Sequence, residues 1–249
     1  MMRILILGGT SDANRLAAAI AASGVPAVYS YAGRTKVPVN QPLPVRTGGF
    51  GGADGLAAHL RTEGITHVID ATHPFADTMS QNAVLACAAS NTALIALERE
   101  PWIQSSDDRW ICVDTLQAAV SALPADPATV FLAIGRQHLD AFAAKPQHAY
   151  ILRFVDKPDA PLPLPNAEVI VARGPFTEYG DLALLRSNGV QWVVTRNSGG
   201  TGARSKIDAA RRLGLPVVMI ARPAMPIRKT VQTVGEVMAW LNHETCLGA

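Results

Sequence analysis

The sequence predicts an α/β protein of two Rossmann-like parallel-sheet domains, with the active site in the cleft between them. Three observations point there. Short apolar runs alternate with Ala-rich stretches of helical spacing along the 249 residues, the pattern of βα units whose sheets are covered on both faces. Apolar residues make up 49% of the chain, enough for a core in each of two ordinary domains. Glycine-rich turns follow strand candidates in both halves, and open parallel sheets bind their ligands at such turns.

The first βα unit sets the rhythm. Residues 3–7 form a buried-strand run, 8–11 a tight turn, and Ala13, Leu16, Ala17 and Ile20 repeat at helical spacing until Ser23-Gly24 ends the helix. Further strands are predicted at 27–31, 43–46, 67–70, 93–97 and 110–113, giving six in the first half. The second half repeats the pattern at 129–134, 150–153, 168–172, 192–195 and 217–220. A helix over 206–213 is closed there by Gly214, where a left-handed residue is wanted. Polar stretches at 98–109 and 124–128 mark junctions, and a boundary near 115 divides the chain into domains 1–114 and 115–249. The Pro-rich stretch 156–166 reads as a connector.

The formal charge of +2, with no blocks of Lys and Arg, excludes a nucleic-acid-binding coat. The charge is unevenly spread. Residues 1–114 carry eight Lys/Arg against ten Asp/Glu, net −2, and 115–249 carry fourteen against ten, net +4. Cys87, Cys112 and Cys246 form no C-x-x-C, and no two of the six histidines have ligand spacing, so neither a disulfide framework nor a metal site is expected. The apolar run 4–7 is too short for a signal core or a membrane span. The expectation is a cytoplasmic protein with no membrane partner.

Residues after strand ends carry the chemistry of such sheets. In the first half, Gly8, Gly9, Thr10 and Ser11 open a helix whose backbone and dipole suit a pyrophosphate. The full G-x-G-x-x-G pattern is absent, since Thr10 and Ala13 replace its second and third glycines. A plain turn capped by Ser11 or Asp12 is the competing reading. Ser30 near the end of strand two and Arg34, Thr35 and Lys36 after it, with no acid nearby, favour the 2′-phosphate of NADPH over the ribose hydroxyl of NADH. Gly48 and Gly49, in a run of glycines before a helix that Asp54 could cap, suit ligand contact or mobility equally. Strand four leads into Ala71, Thr72, His73 and Pro74, where a nicotinamide ring would lie, with Pro74 suited to the first turn of the next helix. Asp70 and His73 are both placed to donate a proton, and water could serve instead.

In the second half, Arg136, Arg153, Arg173, Arg196 and Arg222 each follow a strand end, which reads as a guanidinium clamp for carboxylates. Residues 195–229 hold eight Lys/Arg and one acid, Asp208. Within them, Arg196, Asn197, Ser198 and Gly199 begin a second glycine-rich turn, an anion nest that competes with the first for the cofactor phosphates.

The segments 6–10, 70–76, Arg173-Gly174-Pro175-Phe176 and Asn197-Ser198-Gly199-Gly200, with Lys206 and Arg222-Pro223, resemble the precorrin-6A reductase family of cobalamin biosynthesis, in order over residues 4–223. The resemblance implies NADPH-dependent reduction of precorrin-6A to precorrin-6B, with hydride reaching a ring carbon and a proton its neighbour. It implies a tetrapyrrole polycarboxylate substrate, adds Lys206 to the substrate contacts, and suggests transient contact with neighbouring pathway enzymes. Arg196 stands where the family leads one to expect lysine, which retains carboxylate binding. A short-chain dehydrogenase is excluded because no tyrosine has lysine four residues on, and a hydrolase because G-x-S-x-G is absent. A non-catalytic NADP-sensing module remains, as does a reductase of another polycarboxylated substrate.

Overall fold

The computed structural model describes residues 1–33 and 38–247. Arg34, Thr35 and Lys36 therefore lie outside the described residues. The chain divides into two compact units, Met1–Glu100 with Pro223–Ala249, and Pro101–Arg222. In chain order the first holds β1 (Ile4–Leu7), α1 (Ser11–Ser23), β2 (Ala27–Tyr31), β3 (Val45–Thr47), α2 (Gly52–Thr62), β4 (His67–Asp70), α3 (Asp77–Ser90) and β5 (Ala93–Leu97). The second holds β6 (Arg109–Val113), α4 (Leu116–Ala122), β7 (Thr129–Ala133), a 3₁₀ helix (Arg136–Ala144), β8 (Ala149–Phe154), β9 (Ala167–Val171), α5 (Glu178–Ser187), β10 (Trp192–Arg196), α6 (Ser205–Arg212) and β11 (Pro216–Ile220). The chain then returns to the first unit with β12 (Thr230–Val231) and α7 (Val234–Leu247).

Both sheets are six-stranded and parallel throughout, as the alternation predicts. Their orders, β3-β2-β1-β4-β5-β12 and β9-β8-β7-β10-β11-β6, share one pattern. Strand order reverses between β1 and β4 and between β7 and β10, which opens a crevice at the carboxyl edge of each sheet. β1 explains its own burial. Alternate residues point to opposite faces, so Ile4 and Ile6 enter a core with Leu16, Ile20 and Trp240, while Leu5 and Leu7 enter another with Leu56, Leu60 and Ala83.

The division departs from the expected boundary near 115. Residues 110–113 belong to β6, which pairs with β11 at the edge of the second sheet, and the last segment belongs to the first unit. Local periodicity reveals a strand but not its distant partner, and two-residue β12 is too short to show a period. Capping differs too. Thr10, not Ser11 or Asp12, caps α1, and Gly51 at φ +84 precedes α2 without a side-chain cap, so Asp54 sits in its first turn. Pro74 precedes α3 rather than opening it, because a turn from His73 to Ala76 intervenes.

Candidate active site

At the carboxyl edge of the first sheet lies a cleft of about 380 Å³, bordered by the turns after β1, β2, β3 and β4. It brings together Gly8, Gly9, Gly49, Thr72 and His73, five of the residues nominated from sequence. Others stand behind it as framework. The Thr10 hydroxyl accepts from the Ala13 N–H at 3.1 Å and donates to the Ala71 carbonyl at 2.9 Å, tying the β1 turn to the β4 turn. Pro74 is buried and Ser11 is exposed on α1. Buried Ser30 accepts from Arg46 through its hydroxyl rather than offering it to a ligand.

Two residues that sequence reasoning missed shape the glycine turns. Tyr29 on β2 is wholly buried, and its hydroxyl accepts from the Gly9 N–H at 2.8 Å while donating to Asn14 Oδ1 at 2.8 Å. The Gly9 amide is thus bound to tyrosine rather than aimed at a diphosphate. Burial raises the Tyr29 phenol well above its ordinary value, which keeps that donor proton in place. A Cβ on Gly8 would lie 2.2 Å from the Tyr29 ring, so glycine is a packing requirement there. Arg46 on β3 donates to Ser30 Oγ, to the Gly48 carbonyl and to the Gly49 carbonyl at 2.9–3.0 Å, and stacks 3.8 Å from the Phe50 ring centre.

Asp70 ends β4 with its side chain fully enclosed. Its Oδ1 accepts from the N–H and hydroxyl of Thr72 at 3.2 and 2.6 Å, its Oδ2 accepts from Ser80 Oγ at 2.6 Å, and Arg228 Nη2 stands 3.8 Å away. The expected proton donor at Asp70 is therefore corrected to a brace for the Thr72-His73 turn. His73 is half-buried at the cleft, and its Nδ1 accepts from the Phe75 N–H at 3.2 Å. That bond assigns the proton of the neutral ring to Nε2.

In the second unit the strand-end arginines fall into two groups. Arg136 and Arg173 are exposed and Arg196 is half-buried at the end of β10. Arg153 differs from expectation. It is enclosed, ion-paired to Asp181, and stacked 3.7 Å from the Phe176 ring centre, while Asp181 also accepts from Ser205 Oγ at 2.6 Å. A guanidinium between two packed elements and a carboxylate holds them together instead of meeting a ligand.

The turn after β10 gathers Arg196, Asn197, Ser198, Gly199, Lys206 and Arg222. Asn197 bonds both main-chain groups of Trp102, accepting from its N–H at 2.7 Å and donating to its carbonyl at 2.9 Å. Arg222 donates to the Asn197 and Ser198 carbonyls at 3.0 and 3.2 Å, and buried Lys206 donates to the Ala203 carbonyl at 2.6 Å. Among the described residues, no group of three or more His, Cys, Asp or Glu could hold a metal, and no helix is long and apolar enough to cross a membrane.

The sequence model of the precorrin-6x reductase CbiJ/CobK family matches residues 3–242. The chain belongs to this reductase family. The precorrin-6A reductase of Rhodobacter capsulatus is 58% identical over 241 residues, 97% of this chain and 96% of that one. Its counterpart from a Sinorhizobium species is 47% identical, covering 97% and 93% of the two chains. A solved structure of CobK precorrin-6A reductase matches with a TM-score of 0.95 at 58% identity over 98% and 97%. Membership in the precorrin-6x reductases assigns this fold to oxidoreduction in cobalamin biosynthesis. Tyr29 left one trace in the sequence, a bulky residue on the strand beside a Gly-Gly turn; Arg46 and Trp102 left none.

Proposed function

We propose that the chain catalyses the NADPH-dependent reduction of precorrin-6A to precorrin-6B. The observation that carries this is the first-unit cleft, where glycine edges from the β1 and β3 turns face Thr72 and His73 across the strand-order reversal, in a chain of this family. The residues present fit a dinucleotide. Gly8, Gly9 and Gly49 let a flat ligand approach the backbone, Phe50 and Met79 offer apolar walls, and the start of α2 lacks a side-chain cap. Preference for the 2′-phosphate rests on Arg34, Thr35 and Lys36, in a stretch with no carboxylate.

When bound, the nicotinamide supplies a hydride to an electrophilic carbon of the conjugated macrocycle. The chain orients the reactants, excludes water and lets a proton reach the adjacent carbon. His73 carries that proton on Nε2, at the turn that Asp70 braces. Arg136, Arg173 and Arg196 meet the acetate and propionate groups of the substrate, a role supported by their places near strand ends of the second unit, the first two exposed and Arg196 half-buried.

The test is an absorbance assay of the purified protein with precorrin-6A and either NADPH or NADH. Loss of the reduced-nicotinamide band with precorrin-6A and NADPH, slower with NADH, is expected. Binding of NADPH with no oxidation when the tetrapyrrole is supplied would replace the reductase by a sensing module.

A further inference from the structure

Arg222, Asn197 and Lys206, read from sequence as contacts to an acidic substrate, all bond the main chain around the 197–204 turn. We propose that this turn is a carboxylate subsite whose donors are the main-chain amides of Gly199 and Thr201, with Trp102 and Arg222 as the positioning residues that present them. The inference rests on the reading of the second unit as the substrate's half, and it names a subsite there.

In a trans peptide the carbonyl and the following N–H point to opposite sides, so anchoring one directs the other. Arg222 Nη2 donates to the Ser198 carbonyl at 3.2 Å, which turns the Gly199 N–H away from the guanidinium. Trp102 Nε1 donates to the Gly200 carbonyl at 2.6 Å, which turns the Thr201 N–H away from the indole. Among the described residues neither amide donates to a backbone acceptor, whereas nearby Ser198 and Arg204 donate to Arg196 and Thr201 carbonyls at 2.8 and 3.3 Å. Gly199 and Gly200 stand at φ +66 and +65, a conformation that only glycine adopts readily, so the turn is held in a shape its anchors specify.

The anchors are themselves fixed. Trp102 is 5% exposed, clasped through its main chain by Asn197 and with Lys206 Nζ 5.0 Å from its ring centre. Arg196, Arg222 and Lys206 also bring positive charge to the turn, while the nearby acids are engaged elsewhere, Asp208 by Arg204 and Arg211 at 3.1 and 3.2 Å and Asp181 by Ser205 and Arg153. Amides supply direction and the cations supply field, and together they suit a carboxylate.

Trp102→Phe keeps an aromatic ring and removes the indole N–H, and Arg222→Lys keeps the charge and removes the bridge between two carbonyls. Each is expected to raise the KM for precorrin-6A about tenfold, near one charge-assisted hydrogen bond, while kcat and the KM for the nicotinamide cofactor stay put. Replacing Thr201 by its α-hydroxy acid counterpart exchanges the N–H for oxygen with no change of side chain, and the same rise is expected. An unchanged tetrapyrrole KM in the ester-bearing protein overturns the proposal, as does a joint loss of kcat and both KM values in the two side-chain variants. Arg173→Ala separates the two levels. If it raises the tetrapyrrole KM while the ester does not, the second unit keeps its substrate and the subsite falls; if it weakens only the cofactor, the reading and the subsite fall together.

Discussion

His73 and Gly8 show how differently two cleft residues earn their places. The bond from the Phe75 N–H leaves the imidazole proton on Nε2, the atom from which the ring carbon's neighbour would be protonated. His73→Ala is expected to slow single-turnover reduction by roughly 10²-fold, the scale of a lost general acid, with NADPH affinity retained. An unchanged rate hands the proton to water. Gly8 works through space alone. Gly8→Ala drives a methyl against a fully buried ring and should cost about 1–3 kcal/mol in urea unfolding, the range of overpacked cores. Tyr29→Val in the same chain removes the clash, so a double-mutant cycle should return strong coupling, and additive effects would contradict the packing argument.

At the scale of elements, the C-terminal α7 completes a core that opens at β1. Trp240 and Leu241 pack with Ile4, Ile6, Leu16 and Ile20, so Trp240→Ala should destabilise the first unit by about 3–5 kcal/mol and speed amide exchange in β1 and α1. Increased exchange confined to α7 would refute that coupling. The second unit has its own pH sensitivity. His148 is fully enclosed, and burial, helped by Lys145, lowers its pKa below the ordinary 6.5, while its Nδ1 accepts from the Ala128 N–H. The unfolded chain thus binds a proton that the folded chain resists, and stability falls as pH drops below about 6.5. His148→Asn keeps an acceptor for Ala128 without titrating, and unfolding between pH 7 and 5 should show a flatter dependence.

Across the whole molecule, local pattern and distant pairing were not equally legible. Four consecutive apolar residues in β1 announce a strand covered on both faces, and glycines such as Gly9 and Gly48, at φ +112 and +116, announce their turns because other residues strain there. The placing of β6 beside β11 and β12 beside β5 leaves no local mark, since the partners are far apart in sequence. Arginines were legible as charge and not as direction. Arg153 faces a carboxylate and Arg46 a set of carbonyls, choices made by tertiary packing. The same limit applies to how two ligands are allotted to two units, and hydrogen exchange of the full chain can read that allotment. NADPH should protect amides of 47–52 and 71–79, where the first cleft is lined, and leave 197–204 unmoved. The tetrapyrrole should protect 197–204, and saturating both should give the sum. Protection of 197–204 by NADPH alone would transfer the cofactor phosphates to the second glycine turn, and with them the roles assigned to the two units.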